Sequence, residues 1–152
     1  MHFSQAIRSG FENYVNVGGR AQRSAFWYWQ LFCFLSSMAF AIADTIIFSG
    51  LRINDTGPIS TLWSLAIFIP SITVAVRRLH DRDMSGWFLL LILIPLIGFF
   101  VLLYFFVTPG TDGENRFGAN PLGHNNNQRN IVRDEDERGY SQSNIPRVDR
   151  DD

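Results

Sequence analysis

Residues 77–87 read RRLHDRDMSGW, and this short segment separates two long apolar runs of the chain. It contains three arginines, one histidine and two aspartates. The runs on either side of it, residues 59–76 and 87–107, carry no charged side chain. A dense ionic cluster between two such runs is typical of a loop that stays in water while its flanks enter a bilayer. The segment therefore predicts an integral membrane protein.

A third apolar run precedes these two. Residues 25–43 are uncharged, and the aromatic block at residues 26–29 follows Arg20 and Arg23, as expected of an anchor at headgroup level. We predict helices at about 25–48, 59–76 and 87–107, each close to the ~20 residues that cross ~30 Å of hydrocarbon. The predicted fold class is all-α integral membrane, with three transmembrane helices.

The two ends of the chain differ from this apolar centre. Phe3, Ile7, Phe11 and Tyr14 recur at spacings of three and four, which predicts an amphipathic N-terminal helix. It lies in the membrane interface or packs on the body of the protein, and the sequence leaves both open. Residues 1–121 are the predicted membrane domain. Residues 122–152 are rich in Asn, Asp, Glu, Arg and Gly, which predicts a disordered polar tail.

Arginines near the helix ends predict the orientation, because cytoplasmic loops carry an excess of basic residues. All 13 basic residues of the chain are arginines. Six of them would share one side, and two would lie on the other. The first group is Arg8, Arg20, Arg23, Arg77, Arg78 and Arg82, and the second is Arg52 and Arg116. This asymmetry predicts a cytoplasmic N-terminus and central loop, and three spans would then place the tail in the periplasm or outside the cell.

Four ordered motifs resemble those of one known family. They are Gly19-Arg20-Ala21 with residues 23–28 (RSAFWY), Arg77-Arg78-Leu79-His80-Asp81 with Ser85-Gly86-Trp87, Ile94-Pro95-Leu96-Ile97-Gly98, and Gly110, Gly113, Asn115-Arg116-Phe117-Gly118 and Asn120-Pro121. Over residues 3–121 they resemble the bacterial inner-membrane family catalogued as domain of unknown function 805. The resemblance implies a small multi-pass protein of the inner membrane and no established activity.

The central ionic cluster has three interpretations. In the first, its charges fix topology and pair with one another. Asp81 is spaced for a helical ion pair with Arg77 or Arg78, and Arg20 and Arg23, expected on the same side, are further partners for Asp81 or Asp83. In the second, the cluster contacts an anionic phospholipid or a partner protein. In the third, His80 and Asp81 form a proton-handling pair, which their divergence on a helix disfavours. The candidate contact residues are Arg20, Arg23, Arg77, Arg78, His80, Asp81 and Arg82.

Asp44 is the one carboxylate that borders an apolar run. An intramembrane acid would favour a transporter, whereas a solvated helix end is the simpler interpretation. The single cysteine, Cys33, excludes an intramolecular disulfide. We find no catalytic or metal-binding motif and expect no enzyme, no cofactor, no metal and no nucleic-acid partner. The predicted function is a non-enzymatic scaffold, adaptor or modulator that contacts lipid, a membrane protein or its own copies; the alternative is a small transporter or channel subunit.

Overall fold

The computed structural model describes residues 1–48 and 57–123, and within these ranges the chain is all-helical. Its elements are α1 (Phe3–Glu12), α2 (Arg23–Ile47), α3 (Pro58–His80), a 3₁₀ helix (Gly86–Leu93) and α4 (Ile97–Val107). The connection at residues 49–56 and residues 124–152 of the predicted disordered tail lie outside the described residues.

Helices α2 and α3 form an antiparallel pair. Trp29, near the start of α2, donates from Nε1 to Ser71 Oγ late in α3, at 3.1 Å. Trp63, near the start of α3, donates to Ser36 Oγ at the same distance. The helices have 25 and 23 residues, about 37 and 34 Å at the α-helical rise. Both are long and apolar enough to cross a membrane, and most of their side chains face outward, unlike those of a soluble core helix.

Helix α1 lies against α2. Gly10 leaves the space that the Trp29 ring fills, since a Cβ at Gly10 would lie 2.2 Å from that ring. Phe11 packs edge-on against the same ring, with centroids 5.3 Å apart. The N-terminal helix therefore packs on the body of the protein, one of the two arrangements that its sequence pattern allows. Its location in the membrane interface stays a prediction.

The turn after α1 is attached to α3 where Pro70 interrupts the helical hydrogen bonds. Pro70 has no N–H, so the carbonyl of Ala66, four residues earlier, loses its ordinary donor. The hydroxyl of Tyr14 donates to that carbonyl at 2.5 Å. Thr73 Oγ1 in turn donates to the Tyr14 carbonyl at 3.1 Å. An internal proline thus provides the docking point for the N-terminal segment.

The third apolar run is a hairpin, and the predicted single helix over residues 87–107 is wrong. The 3₁₀ helix ends at Leu93 and α4 begins at Ile97. Between them Leu96 has φ +63 and ψ −65, and Ile97 N–H donates to the Pro95 carbonyl at 2.8 Å, as in a tight γ-turn. The backbones touch closely at Gly98, where a Cβ would lie 1.6 Å from the Leu91 carbonyl oxygen.

The hairpin brings the chain back to the end of the bundle that it left. Arg82, just after α3, donates from Nη1 to the Pro109 carbonyl, just after α4, at 3.0 Å. Thr111 N–H donates to the Asp81 carbonyl at 2.8 Å. Each arm is about 16 Å long, half of the ~30 Å of a hydrocarbon core. The central loop and the segment after α4 therefore lie at the same end of the bundle. The expectation that residues 87–107 place them at opposite ends is wrong for the residues after α4 that the structure describes.

Candidate functional site

Three buried ionic side chains meet at the end of the bundle where α2 begins and α3 ends. Arg20 Nε donates to Asp81 Oδ1 at 2.9 Å, and Arg78 Nη1 donates to Asp81 Oδ2. The Arg20, Arg78 and Asp81 side chains are 1%, 0% and 5% exposed. We call these three residues the buried triad. Of the ion pairs that the sequence pattern allows, the triad contains Arg78 with Asp81 along the helix and Arg20 with Asp81 between segments. In the described residues Asp81 does not pair with Arg77, the other arginine at helical spacing.

The guanidinium groups also bind the main chain of residues 108–121, the closing loop. Arg20 donates to the carbonyls of Thr111 at 2.6 Å and Gly113 at 2.6 Å, and more weakly to that of Gly118 at 3.3 Å. Arg78 donates to the carbonyls of Phe106, at 3.3 Å, and Thr108. The arginines therefore hold the closing loop and the last turn of α4 by their carbonyls; of these, the Gly118 carbonyl also accepts from Asn115 N–H at 3.1 Å.

Local backbone geometry permits this convergence. Ala21 N–H donates to the Arg77 carbonyl at 2.9 Å, which joins the segment before α2 to the last turn of α3. Gly110 passes so close to the triad that a Cβ would lie 2.1 Å from Asp81 Oδ2. A side chain at position 110 would thus displace the carboxylate on which both arginines depend.

Because the ion pairs of the triad are buried, removing one partner costs more free energy than it would in a solvated loop. The pairs were expected at the wet interface, where each contributes only ~0–1 kcal/mol. Instead the closing loop covers them, so their expected exposure is wrong: Arg20, Arg78 and Asp81 are all buried. Loss of one member would leave uncompensated buried charge, at a typical cost of about 3–5 kcal/mol.

The side chains of His80 and Asp81 face different partners. Asp81 directs its carboxylate to the two arginines, whereas the His80 ring stacks on Phe117 with centroids 3.8 Å apart and planes 4° apart. Asn115 Nδ2 donates to the His80 carbonyl at 2.9 Å and its Oδ1 accepts from Phe117 N–H at 2.9 Å. Two atoms near this stack are buried without a hydrogen-bond partner, His80 Nδ1 and Arg77 Nε.

The other predicted contact residues are more accessible. Arg23 is exposed at the first turn of α2, and Arg77 is half-buried. Arg82 is half-buried and lies over the Tyr104 ring, 5.8 Å from its centroid. Of the seven candidate contacts, these three basic side chains are thus the ones that remain reachable at this end of the bundle.

Asp44 belongs to the opposite end of the helix pair, and its predicted solvation is wrong because it is 4% exposed. Its carboxylate accepts from Ile59 N–H at 3.0 Å, Ser60 N–H at 2.7 Å and Ser60 Oγ at 2.6 Å. Gly57 allows this approach, since a Cβ there would lie 2.2 Å from Asp44 Cγ. Asp44 therefore caps the N-terminus of α3, where unpaired N–H groups and the helix dipole favour an anion.

The closing loop is the part of the site that reasoning from charge and periodicity missed. Its carbonyls are main-chain groups, which leave no trace in composition. The one available signal was the motif that includes Gly110, Gly113, Asn115, Phe117 and Gly118. That motif marked the loop as structured, but it did not identify Arg20 and Arg78 as its partners.

Within residues 1–48 and 57–123, no group of three or more His, Cys, Asp or Glu side chains is arranged to hold a metal ion. The expected absence of metals and cofactors stays a prediction.

Known proteins similar to this chain are bacterial membrane proteins. It is 42% identical over 114 residues to "Inner membrane protein YhaI" of Escherichia coli K12, a match that covers 74% of this chain and 92% of the relative. It is 37% identical over 110 residues to "Inner membrane protein YhaH" of the same strain, covering 72% and 90% respectively. No solved structure matches it. The sequence profile described as "Protein of unknown function (DUF805)" matches residues 14–119. The chain is therefore a member of the DUF805 family, whose relatives here are inner-membrane proteins.

Proposed function

We propose that this protein is a non-enzymatic scaffold or adaptor of the bacterial inner membrane, with a preformed cytoplasmic docking face. The observation that carries the proposal is the buried triad. Arg78 and Asp81 of the central motif are committed to ion pairs within the triad, and Arg20 and Arg78 fix the closing loop through its carbonyls. Such a network supports a structural role, in which one well-defined surface is presented to a partner.

The docking face that we propose consists of Arg23, Arg82, Asp83 and Arg116. Arg116 Nε lies 3.1 Å from Asp83 Oδ1, with both side chains largely in solvent. Exposed ion pairs contribute little to stability, so these groups are available for exchange with a partner's charges. Their mixed signs favour a partner protein with complementary charges over a uniformly acidic surface.

We further propose a multi-pass topology with two complete crossings, α2 and α3, and a hairpin that enters one leaflet and returns. Arg116 then shares a side with Arg8, Arg20, Arg23, Arg77, Arg78 and Arg82, and Arg52 is left in the sequence between α2 and α3. Seven arginines against one favour a cytoplasmic location for that shared side. The N-terminus and residues 108–123 would both be cytoplasmic.

Reporter fusions test the topology. A reporter placed after residue 82 and one placed after residue 122 are expected to give the same cytoplasmic signal, and one inserted at residue 53 the opposite signal. Opposite signals at 82 and 122 would restore three full crossings and contradict the hairpin topology.

A photocrosslinking residue tests the docking face in native membranes. In place of Arg23 or Arg82 it is expected to yield a discrete adduct with a protein. In place of the outward Leu62 on α3, the matched control, it should yield lipid adducts. Lipid adducts alone at all three positions would overturn the adaptor proposal.

The contacts of Asp44 weigh against the transporter alternative. A carboxylate that carries an ion or proton must exchange partners during transport, whereas Asp44 holds three donors at the N-terminus of α3.

A further inference from the structure

A large apolar groove runs between the α2–α3 pair and the hairpin. Its volume is about 1050 Å³, at the upper end of what ligand pockets enclose. Phe26, Ala75, Leu102 and Phe106 line its inner wall, and Trp87 stands at its edge. Trp87 is 78% exposed, so the groove opens sideways among outward-facing apolar side chains.

Most residues that line the groove are apolar, and the polar ones are Gln30, Ser71, His80 and Ser85. His80 and Ser85 line it where α3 meets the 3₁₀ helix, next to the buried triad. His80 is 8% exposed, and its Nδ1 has no partner within hydrogen-bond geometry, although the Val17 and Gly19 carbonyls lie near the imidazole. Arg77 lies one helical turn earlier on the same face of α3, and its Nε is also buried without a partner. Buried polar atoms in this state cost free energy unless a ligand or water satisfies them.

The length of the groove wall and the distribution of polar groups along it together indicate which kind of molecule occupies the groove. The hairpin arm that walls the groove rises about 16 Å, which matches one leaflet, half of the ~30 Å hydrocarbon core. Apolar walls that open toward hydrocarbon fit an acyl chain. The unpaired Nδ1 of His80, which lines the groove at the end where α3 meets the 3₁₀ helix, fits a phosphate group, because phosphate oxygens accept hydrogen bonds.

We infer that the groove is a binding site for one membrane phospholipid, with an acyl chain between α3 and the hairpin and its phosphate at His80. The inference goes beyond the adaptor role and depends only on insertion of the hairpin in the bilayer. It also differs from lipid capture by the triad, because Arg20 and Arg78 are buried and paired.

Two variants address the two ends of the site. His80→Phe keeps an aromatic ring against Phe117 but removes Nδ1, and His2→Phe at the exposed terminal histidine is its matched control. Ala75→Leu places a larger side chain in the inner wall, and Ala41→Leu on the exposed side of α2 is its control.

Native mass spectrometry of the full chain, extracted in mild detergent from vesicles of phosphatidylglycerol and phosphatidylcholine, counts the retained lipids. We expect one retained phospholipid per chain, and retention reduced at least about tenfold by His80→Phe, because a hydrogen bond to a charged group is lost. Ala75→Leu should reduce retention of either lipid, and both controls should retain it. Equal retention in wild type and His80→Phe would overturn the inference.

A third measurement needs no substitution, in case a variant fails to fold. A phospholipid with a photoactivatable acyl chain is expected to label Trp87, Leu90 and Phe99, which line the groove, in preference to the outward face of α2. Labelling spread evenly over the outward helix faces would indicate bulk lipid. A protein–protein crosslink at Trp87 without lipid labelling would instead assign the groove to a second copy or another protein. Either result would refute the lipid site.

Discussion

Replacement of Asp81 by asparagine is the sharpest test of the buried triad. The change keeps the size of the side chain but removes the negative charge that faces Arg20 and Arg78. One amide cannot accept from both guanidinium groups through two oxygens, because one of its polar atoms is now an NH₂ donor. The variant therefore leaves two arginines buried beside each other without a counter-charge from the triad.

The expected magnitude follows from burial. The Asp81 side chain is 5% exposed and the two arginine side chains 1% or less. Removing one partner of a pair this deeply buried typically costs about 3–5 kcal/mol. Asp83→Asn is the matched control, since Asp83 pairs with Arg116 while their side chains are 45% and 59% exposed. Its expected cost is at most about 1 kcal/mol.

Reversible unfolding of the purified protein in mixed micelles by SDS titration gives the free energy of unfolding of each variant. We expect Asp81→Asn to shift the unfolding equilibrium by at least about 100-fold, because each 1.4 kcal/mol corresponds to a factor of about ten. The double variant Arg20→Gln/Asp81→Asn should lose less than the sum of the two single variants, since the residues share one interaction. Equal costs for Asp81→Asn and Asp83→Asn, or strictly additive costs in the double variant, would refute the reasoning.

The remaining predictions concern the turn of the hairpin, the cap on α3 and the closing loop. Gly98→Ala forces a Cβ to within 1.6 Å of the Leu91 carbonyl oxygen, so the hairpin must open and limited proteolysis should cleave this variant faster than the wild type. The control is Gly18→Ala, whose Cβ meets only a side-chain atom at 3.2 Å and which should be cleaved at the wild-type rate. An unchanged cleavage rate in Gly98→Ala would argue against the tight turn. Asp44→Ala leaves the buried donors at the start of α3 without this acceptor, and we expect the free energy of unfolding in SDS titration to fall by about 1–3 kcal/mol. Asp112→Ala, at an exposed position, is the control and should change it negligibly. A large loss of ion or proton flux at unchanged stability would instead favour a transporter. Gly110→Ala should behave like Asp81→Asn in the same titration, because its Cβ overlaps the carboxylate, and wild-type stability would contradict the close packing of the loop.

The proline and glycine residues of the third apolar run explain why its sequence was misinterpreted. Pro95 and Gly98 are compatible with a bent transmembrane helix, and the run is long enough for one complete crossing. The hairpin forms because the chain reverses at Leu96 and the missing Cβ of Gly98 lets α4 approach the Leu91 carbonyl. That decision depends on a contact between residues seven apart, which hydropathy does not encode.

Asp44 illustrates the same limit at the other end of the bundle. Its position at the border of an apolar run allowed either a transport group or a solvated helix end. The structure gives it a different role, because α3 begins beside it with N–H groups that have no helical partner.

The sequence by itself determined the membrane class and the two long helices, and it limited the helical partner of Asp81 to Arg77 or Arg78, because apolar length and helical spacing are local properties. Its ordered motifs also determined the family. Tertiary structure alone decided that the third run turns back, that the closing loop buries the triad and that His80 is left at the end of an apolar groove. These features depend on carbonyls, missing Cβ atoms and enclosed space, which arise only when distant segments of the chain pack against one another.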